Sequence, residues 1–219
     1  AAELGPLDEV QSARSARLRA QIVFARRRGA DAVPLLLDAA DRLARLGDDH
    51  AREAYLEALG AAVFAGRLYN HGGLREVAEI AGSVPGGWRP PRPVEVLLDG
   101  LATRFTRGHV AGAPALRRAL RAFRRNDGRD DDDIVRWFWL AWLVAGDLWD
   151  DATWHELSSR AVRLARDAGA LSVLPLALAY RAAAHVHAGE FSAAAELIEE
   201  SESITEATLL SGNTWWSMI

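Results

Sequence analysis

Glycine punctuates this chain at positions 29, 66, 108, 146 and 189, at intervals of 37, 42, 38 and 43 residues. Between these points apolar residues recur with helical spacing, and no stretch shows the apolar–polar alternation of a half-buried strand. Two helical segments fit each interval, so the unit is a helix pair, repeated five times. A period near 40 belongs to helical solenoids, in which each pair buries its apolar face only against its neighbours. The spacing predicts an all-α chain, a right-handed α-solenoid of about five antiparallel helix pairs.

The segments are predicted as follows. A first helix runs from Leu7 to Arg28, with Leu18, Ile22 and Ala25 on one side. Asp31 caps a second helix that ends at Leu46, and Asp48 or Asp49 caps a third that reaches Phe64. A short helix ends at Ala81. Further helices span Val94 to Arg107, Ala113 to Arg125, Ile134 to Leu148, Ala152 to Ala168, Leu171 to Ala188 and Phe191 to Ala207. The Gly- and Pro-rich stretch 82–93 is the strongest break in the chain. It reads as a stiff connector, a sub-boundary inside a single domain of residues 1–219.

The segment from Asp130 to Gly169 holds five of the eight tryptophans. Its first helix is apolar almost all the way round. Ile134, Trp137, Ala141, Val144 and Leu148 share one face; Val135, Phe138, Trp142, Ala145 and Trp149 share another. A helix apolar on nearly every side is buried, in a core or in a membrane. At about 15 residues it is short for a span, which needs roughly 20. Core packing between pairs is therefore expected. The aspartates Asp130 to Asp133 suit a helix N-terminus. They also raise a Mg²⁺ site, because a hard cation takes several carboxylate oxygens. The other nearby acids, Asp147, Asp150, Asp151 and Glu156, sit at the far end of the helix, about 22 Å away. One metal cluster within this hairpin is excluded on that distance.

Composition removes several chemistries. There is no cysteine, so disulfides and thiolate sites are absent. All 26 basic residues are arginine. Without lysine a P-loop, a kinase ATP lysine and a Schiff base are ruled out. The net charge of −4 argues against DNA-backbone binding by this segment. The six histidines form no HExxH or i,i+4 pair, and no GxSxG elbow exists. No metal, cofactor or catalytic residue is expected, and no membrane contact. A cytoplasmic protein is the default. The ending, with Trp215, Trp216, Met218 and Ile219, suggests a piece of a longer polypeptide and a tendency to homo-oligomerise.

The turn His185-Val-His-Ala-Gly-Glu-Phe-Ser-Ala-Ala-Ala-Glu-Leu197 resembles that of a tetratricopeptide repeat (TPR), with Ala194 where two helices touch. In TPR-like arrays the first helix of each pair lines a concave groove. Counting back from the turn glycines assigns to that groove Arg26 from the first pair, Val63 from the second, and Leu98 and Phe105 from the third. The fourth pair adds Arg136, Leu140 and Leu143, and the fifth Val186. An apolar groove implies an occupant, a small-molecule effector or a protein or peptide partner.

Longer segments point to one family. They include Arg52-Glu-Ala-Tyr-Leu-Glu-Ala-Leu59, Leu97-Leu-Asp-Gly-Leu101, Gly112-Ala-Pro-Ala-Leu-Arg-Arg-Ala-Leu120, Asp147-Leu-Trp-Asp-Asp-Ala-Thr-Trp154 and Ala168-Gly-Ala-Leu-Ser-Val-Leu-Pro-Leu-Ala-Leu178. These resemble the helical-repeat region of LuxR-type large ATP-binding transcriptional regulators (LAL/STAND), common in actinobacteria. The resemblance implies a sensor and oligomerisation region, flanked in the parent chain by an ATPase module and a helix-turn-helix domain. Two other classes stand beside it: an all-helical Mg²⁺-dependent enzyme using the aspartate-rich helix ends, and a peptide-binding TPR scaffold.

Overall fold

The computed structural model describes residues 5, 7–27, 31–66, 73–86, 91–125 and 131–208, and the side chains of 27 and 131–135 fall outside that description. Among the described residues there are ten helices and no strand: α1 (Glu9–Arg27), α2 (Ala32–Arg45), α3 (Ala51–Ala65), α4 (Gly73–Ser83), α5 (Pro93–Arg107), α6 (His109–Arg125), α7 (Asp131–Asp147), α8 (Asp151–Asp167), α9 (Leu174–Ala188) and α10 (Phe191–Ala207). The chain divides into two compact units, Ala1–Ala119 and Leu120–Ile219, and the division falls within α6. The 82–93 stretch lies inside the first unit, between α4 and α5, and its residues 87–90 lie outside the described ones.

In the first unit each helix packs on the next, from α1 on α2 to α4 on α5, and α3 also meets α5. The most enclosed helix is α3, with twelve of its fifteen residues buried. Its alanines allow close approach, and Leu56 and Leu59 join Leu36, Leu43, Leu97 and Leu98 in the core. Burying such a side chain contributes about 1.5–3 kcal/mol. α5 begins with Pro93 at its first position, and the Glu95 carboxylate accepts the Arg92 backbone N–H at 3.2 Å. Where α5 meets α6 the backbones nearly touch. A Cβ on Gly112 would stand 2.8 Å from the Arg104 Cα.

The rotation of α1 is set by the tertiary structure. Leu18, Ile22 and Ala25 do share one side, but they face outward. Ala13, Arg17 and Ala20 face inward. The Arg17 guanidinium forks onto the Glu57 carboxylate of α3, at 2.9 and 2.7 Å, and lies 3.2 Å from Glu53. Gln21 donates to the same Glu57 at 2.7 Å. Burial works against the charge on Arg17, yet its hydrogen bond and Coulomb attraction to Glu57 and Glu53 prevail and raise its pKa. Two nearly buried carboxylates share this cation, and with Arg17 turned toward them Leu18 and Ile22 fall on the outer side.

In the second unit α7, α8, α9 and α10 pack in chain order, and α7 also meets α9. Phe138, Ala161, Val162, Ala165, Leu174, Ala177 and Leu178 form a core against which Leu197 and Ile204 of α10 pack. α7 is buried on two sides, through Trp137, Ala141 and Val144 and through Phe138, Trp142 and Ala145. That matches its all-round apolar pattern.

The turn after α7 corrects the glycine count. Gly146 lies inside α7, not in a turn. The left-handed residue there is Trp149, with φ 56°, the one non-glycine with positive φ among the described residues. Its turn is closed by Asp150 N–H to Ala145 O at 2.9 Å and Trp149 N–H to Gly146 O at 3.0 Å. Glycine makes the same pair of bonds at positions 47, 169 and 189. The residues of positive φ that follow α3, α5, α7 and α9 are thus Gly66, Gly108, Trp149 and Gly189. Their spacings of 42, 41 and 40 residues are more regular than the glycine intervals. Gly29 lies outside the described residues.

Candidate functional site

The second unit carries an aromatic wall built from three helices. Phe138 and Trp142, four residues apart, share a face of α7. The Trp142 ring stands 4.5 Å from Trp154 of α8 and 4.4 Å from Tyr180 of α9, and Phe138 meets Tyr180 edge-on at 5.5 Å. Trp154 in turn meets His187 of α9 at 4.7 Å. Local sequence positions these groups. Asp150 caps α8, accepting the Thr153 backbone N–H at 3.1 Å and the Thr153 hydroxyl at 2.7 Å, which fixes the turn carrying Trp154. The Trp154 indole lies against α7 at Gly146, where a Cβ would stand in ordinary contact, 3.6 Å from the ring.

The indole N–H groups of Trp137, Trp142 and Trp154 are buried without a hydrogen-bond partner. Leaving such a donor unpaired costs about 1–3 kcal/mol. The three tryptophans are buried and packed among their own helices, and the wall offers no nucleophile or acid–base pair.

A polar edge runs along the same α8–α9 seam. Arg181 donates to the His155 carbonyl at 3.0 Å, and the His155 and His185 rings are 5.9 Å apart. His185 Nδ1 pairs with the Glu190 carboxylate. The hydrogen bond from His185 holds Glu190 below the usual carboxylate range, and the charges of His185, His155 and Arg181 act in the same direction. Burial lowers the Arg181 pKa, with Glu190 opposing. His187 points elsewhere, with Nδ1 2.8 Å from the Ala183 carbonyl, so the two histidines of α9 serve different surroundings.

The eight predicted groove residues do not form one set. In the second unit Leu143 and Val186 are exposed, on the α7 and α9 helices that carry the wall. Arg136 is exposed, its guanidinium 5.6 Å from the Trp137 ring centroid. Leu140 is fully buried. In the first unit Arg26 is exposed, Val63 and Phe105 are half-buried, and Leu98 is fully buried. Leu98 and Leu140 sit on helices with neighbours on both sides, so burying them wins over lining a surface. A cleft of about 430 Å³ between α4 and α5 is lined by Ala78, Gly82 and Ala102 together with Glu79, Asp99 and Arg107; none of the predicted residues lines it.

Sequence reasoning missed Tyr180, Arg181 and the Arg17–Glu53–Glu57 group as members of sites. The available signal for the last was Glu53 and Glu57, an i,i+4 carboxylate pair on a helix whose other residues, Arg52 and Tyr55 apart, are apolar. Asp130 and the side chains of Asp131 to Asp133, on which the Mg²⁺ reading rests, lie outside the described residues. Among the described residues no group of three or more His, Asp or Glu side chains converges as a metal site, and no helix is long and apolar enough to cross a membrane. No protein-family model and no curated protein matches this chain.

Proposed function

We propose that this chain is the sensor and interaction region of a LuxR-type large ATP-binding regulator, built from TPR-like helix pairs stacked as a right-handed solenoid. The observation that carries the reading is the order of packing. Within each unit every helix packs on its chain neighbour, and first helices of successive pairs also meet, α3 with α5 and α7 with α9. Stacked pairs make contacts of this kind. The turn residues spaced 42, 41 and 40 apart add support.

On this reading a small-molecule effector, or a protein or peptide partner, binds the second unit at Leu143 and Val186, with the aromatic wall behind them. Catalysis, metal binding and DNA contact are assigned to no residue of this segment. The ATPase and helix-turn-helix domains of the parent chain would carry ATP hydrolysis and DNA contact in such a regulator, in the cytoplasm.

The test is a thermal-shift screen with metabolites, peptides and Mg²⁺ as separate arms. A ligand at a hundredfold excess over its Kd should stabilise the protein by about 2.7 kcal/mol. It should also change the tryptophan emission. Leu143→Glu with Val186→Glu should abolish the shift and leave the unliganded Tm near wild type. A shift with Mg²⁺ alone would favour the enzyme reading, a response to peptides alone the scaffold. A ligand shift that survives the double substitution would refute the proposed surface.

A further inference from the structure

We infer that α1 and α10 are the two halves of a contact between copies of this chain, α10 of one copy packing on α1 of another. On α1 the residues Gln11, Ser15, Leu18, Ile22 and Ala25 follow the 4-3-4-3 spacing of a coiled-coil seam, opposite the inward Ala13, Arg17 and Ala20. Leu18 is 57% exposed and Ile22 52%. On α10, Phe191, Ala195 and Ile198 follow the same 4-3 spacing, and Phe191 is 68% exposed. The inward side of that helix is Ala194, Leu197, Ser201 and Ile204. Single exposed apolar residues are ordinary. Two stripes at helix-seam spacing are not accounted for in that way.

Charge decides which stripe meets which. Besides the inward Arg17 and Arg14, which is engaged by Asp48, α1 carries Arg19 and Arg26, against one carboxylate, Glu9. Besides Glu200, which is engaged by Arg166, α10 carries Glu196, Glu199, Glu202 and Glu206 and no basic residue. Like charges oppose α1 on α1 and α10 on α10, and opposite charges favour α1 on α10. The packing also has precedent within each unit, where the second helix of one pair packs on the first helix of the next: α2 on α3, α4 on α5 and α8 on α9. A contact of one helix face on another falls short of the roughly 1,600 Å² of a stable interface. The association is therefore weak, and salt loosens it. This inference stands apart from the regulator reading and does not depend on it.

Sedimentation velocity of the full 219-residue chain tests it. The wild type should associate across the micromolar range, less so at high salt. One variant carries Leu18→Glu and Ile22→Glu, the other Phe191→Ser with Glu199→Arg. All four positions are solvent-facing, and circular dichroism verifies that both variants fold. Each alone should be monomeric. Mixed, they should form a 1:1 complex, because each keeps one intact face. If the leucine and isoleucine changes unfold the chain, Arg19→Glu with Arg26→Glu replaces them. A wild type that stays monomeric, a folded variant that associates like wild type, or a mixture that yields no complex would each overturn the inference.

Discussion

Trp149→Gly should stabilise this protein even though it deletes a tryptophan. Trp149 holds φ at 56°, where an L side chain crowds the following carbonyl at about 1–2 kcal/mol. Its ring is 89% exposed, so removing it forfeits little burial. Glycine gives back about 0.5–1 kcal/mol through the extra freedom of the unfolded chain. The difference is a net gain of about 0.5–1 kcal/mol. The second unit has 100 residues, for which 1 kcal/mol moves Tm by about 4–8 °C. Urea unfolding followed by far-UV circular dichroism, which does not depend on indole emission, measures the gain. Trp149→Ala is the control, since alanine keeps the Cβ and most of the strain. An unfolding midpoint below wild type for Trp149→Gly, or an equal gain for Trp149→Ala, would refute the strain argument.

Three further predictions follow from the same geometry. Gly112→Ala and Gly146→Ala both replace a helical glycine and should have opposite signs. At Gly112 the new Cβ meets Arg104 backbone at 2.8 Å, a loss of about 1–3 kcal/mol, whereas at Gly146 the nearest atom is 3.6 Å away and helix propensity adds up to about 1 kcal/mol; thermal unfolding of the pair decides. Burial alone would raise the Asp48 pKa, but hydrogen bonds from the His50 backbone, Arg14 and the His50 ring lower it overall. Its folded pKa is thus depressed, so its stabilisation is complete above the unfolded value of about 3.9 and lost as pH falls through the folded one. Asp48→Asn should therefore destabilise at neutral pH and converge on wild type in acid, and a gap that persists unchanged at low pH counts against this account. Arg17→Met should cost about 3–5 kcal/mol by leaving Glu53 and Glu57 without their shared cation. A double-mutant cycle with Glu57→Met should show recovery; strict additivity would mean the pair is not coupled.

Some of the candidate surface was legible in advance and some was not. Leu143 and Val186 were named from turn offsets and are exposed, while Leu98 and Leu140, named by the same rule, are buried. An offset places a residue on a face but does not report how far the neighbouring helices wrap around that face. The Trp142–Trp154–Tyr180 wall joins residues from α7, α8 and α9. Its tryptophans were visible as an apolar cluster, but their unpartnered N–H groups appear only once three helices are assembled.

Local periodicity by itself determined the helices, their approximate limits and the burial of α7 on two faces, because a 3.6-residue repeat is a property of adjacent residues. Tertiary structure decided the rotation of α1, where Leu18, Ile22 and Ala25 share a side as the pattern requires, yet that side faces out. The deciding bond joins Arg17 to Glu57, 40 residues away. It also decided that Trp149 rather than Gly146 makes the turn after α7. A left-handed residue is set by where the helix must end against its neighbours, and a tryptophan can be forced into it when packing on both sides outweighs about 1–2 kcal/mol of local strain.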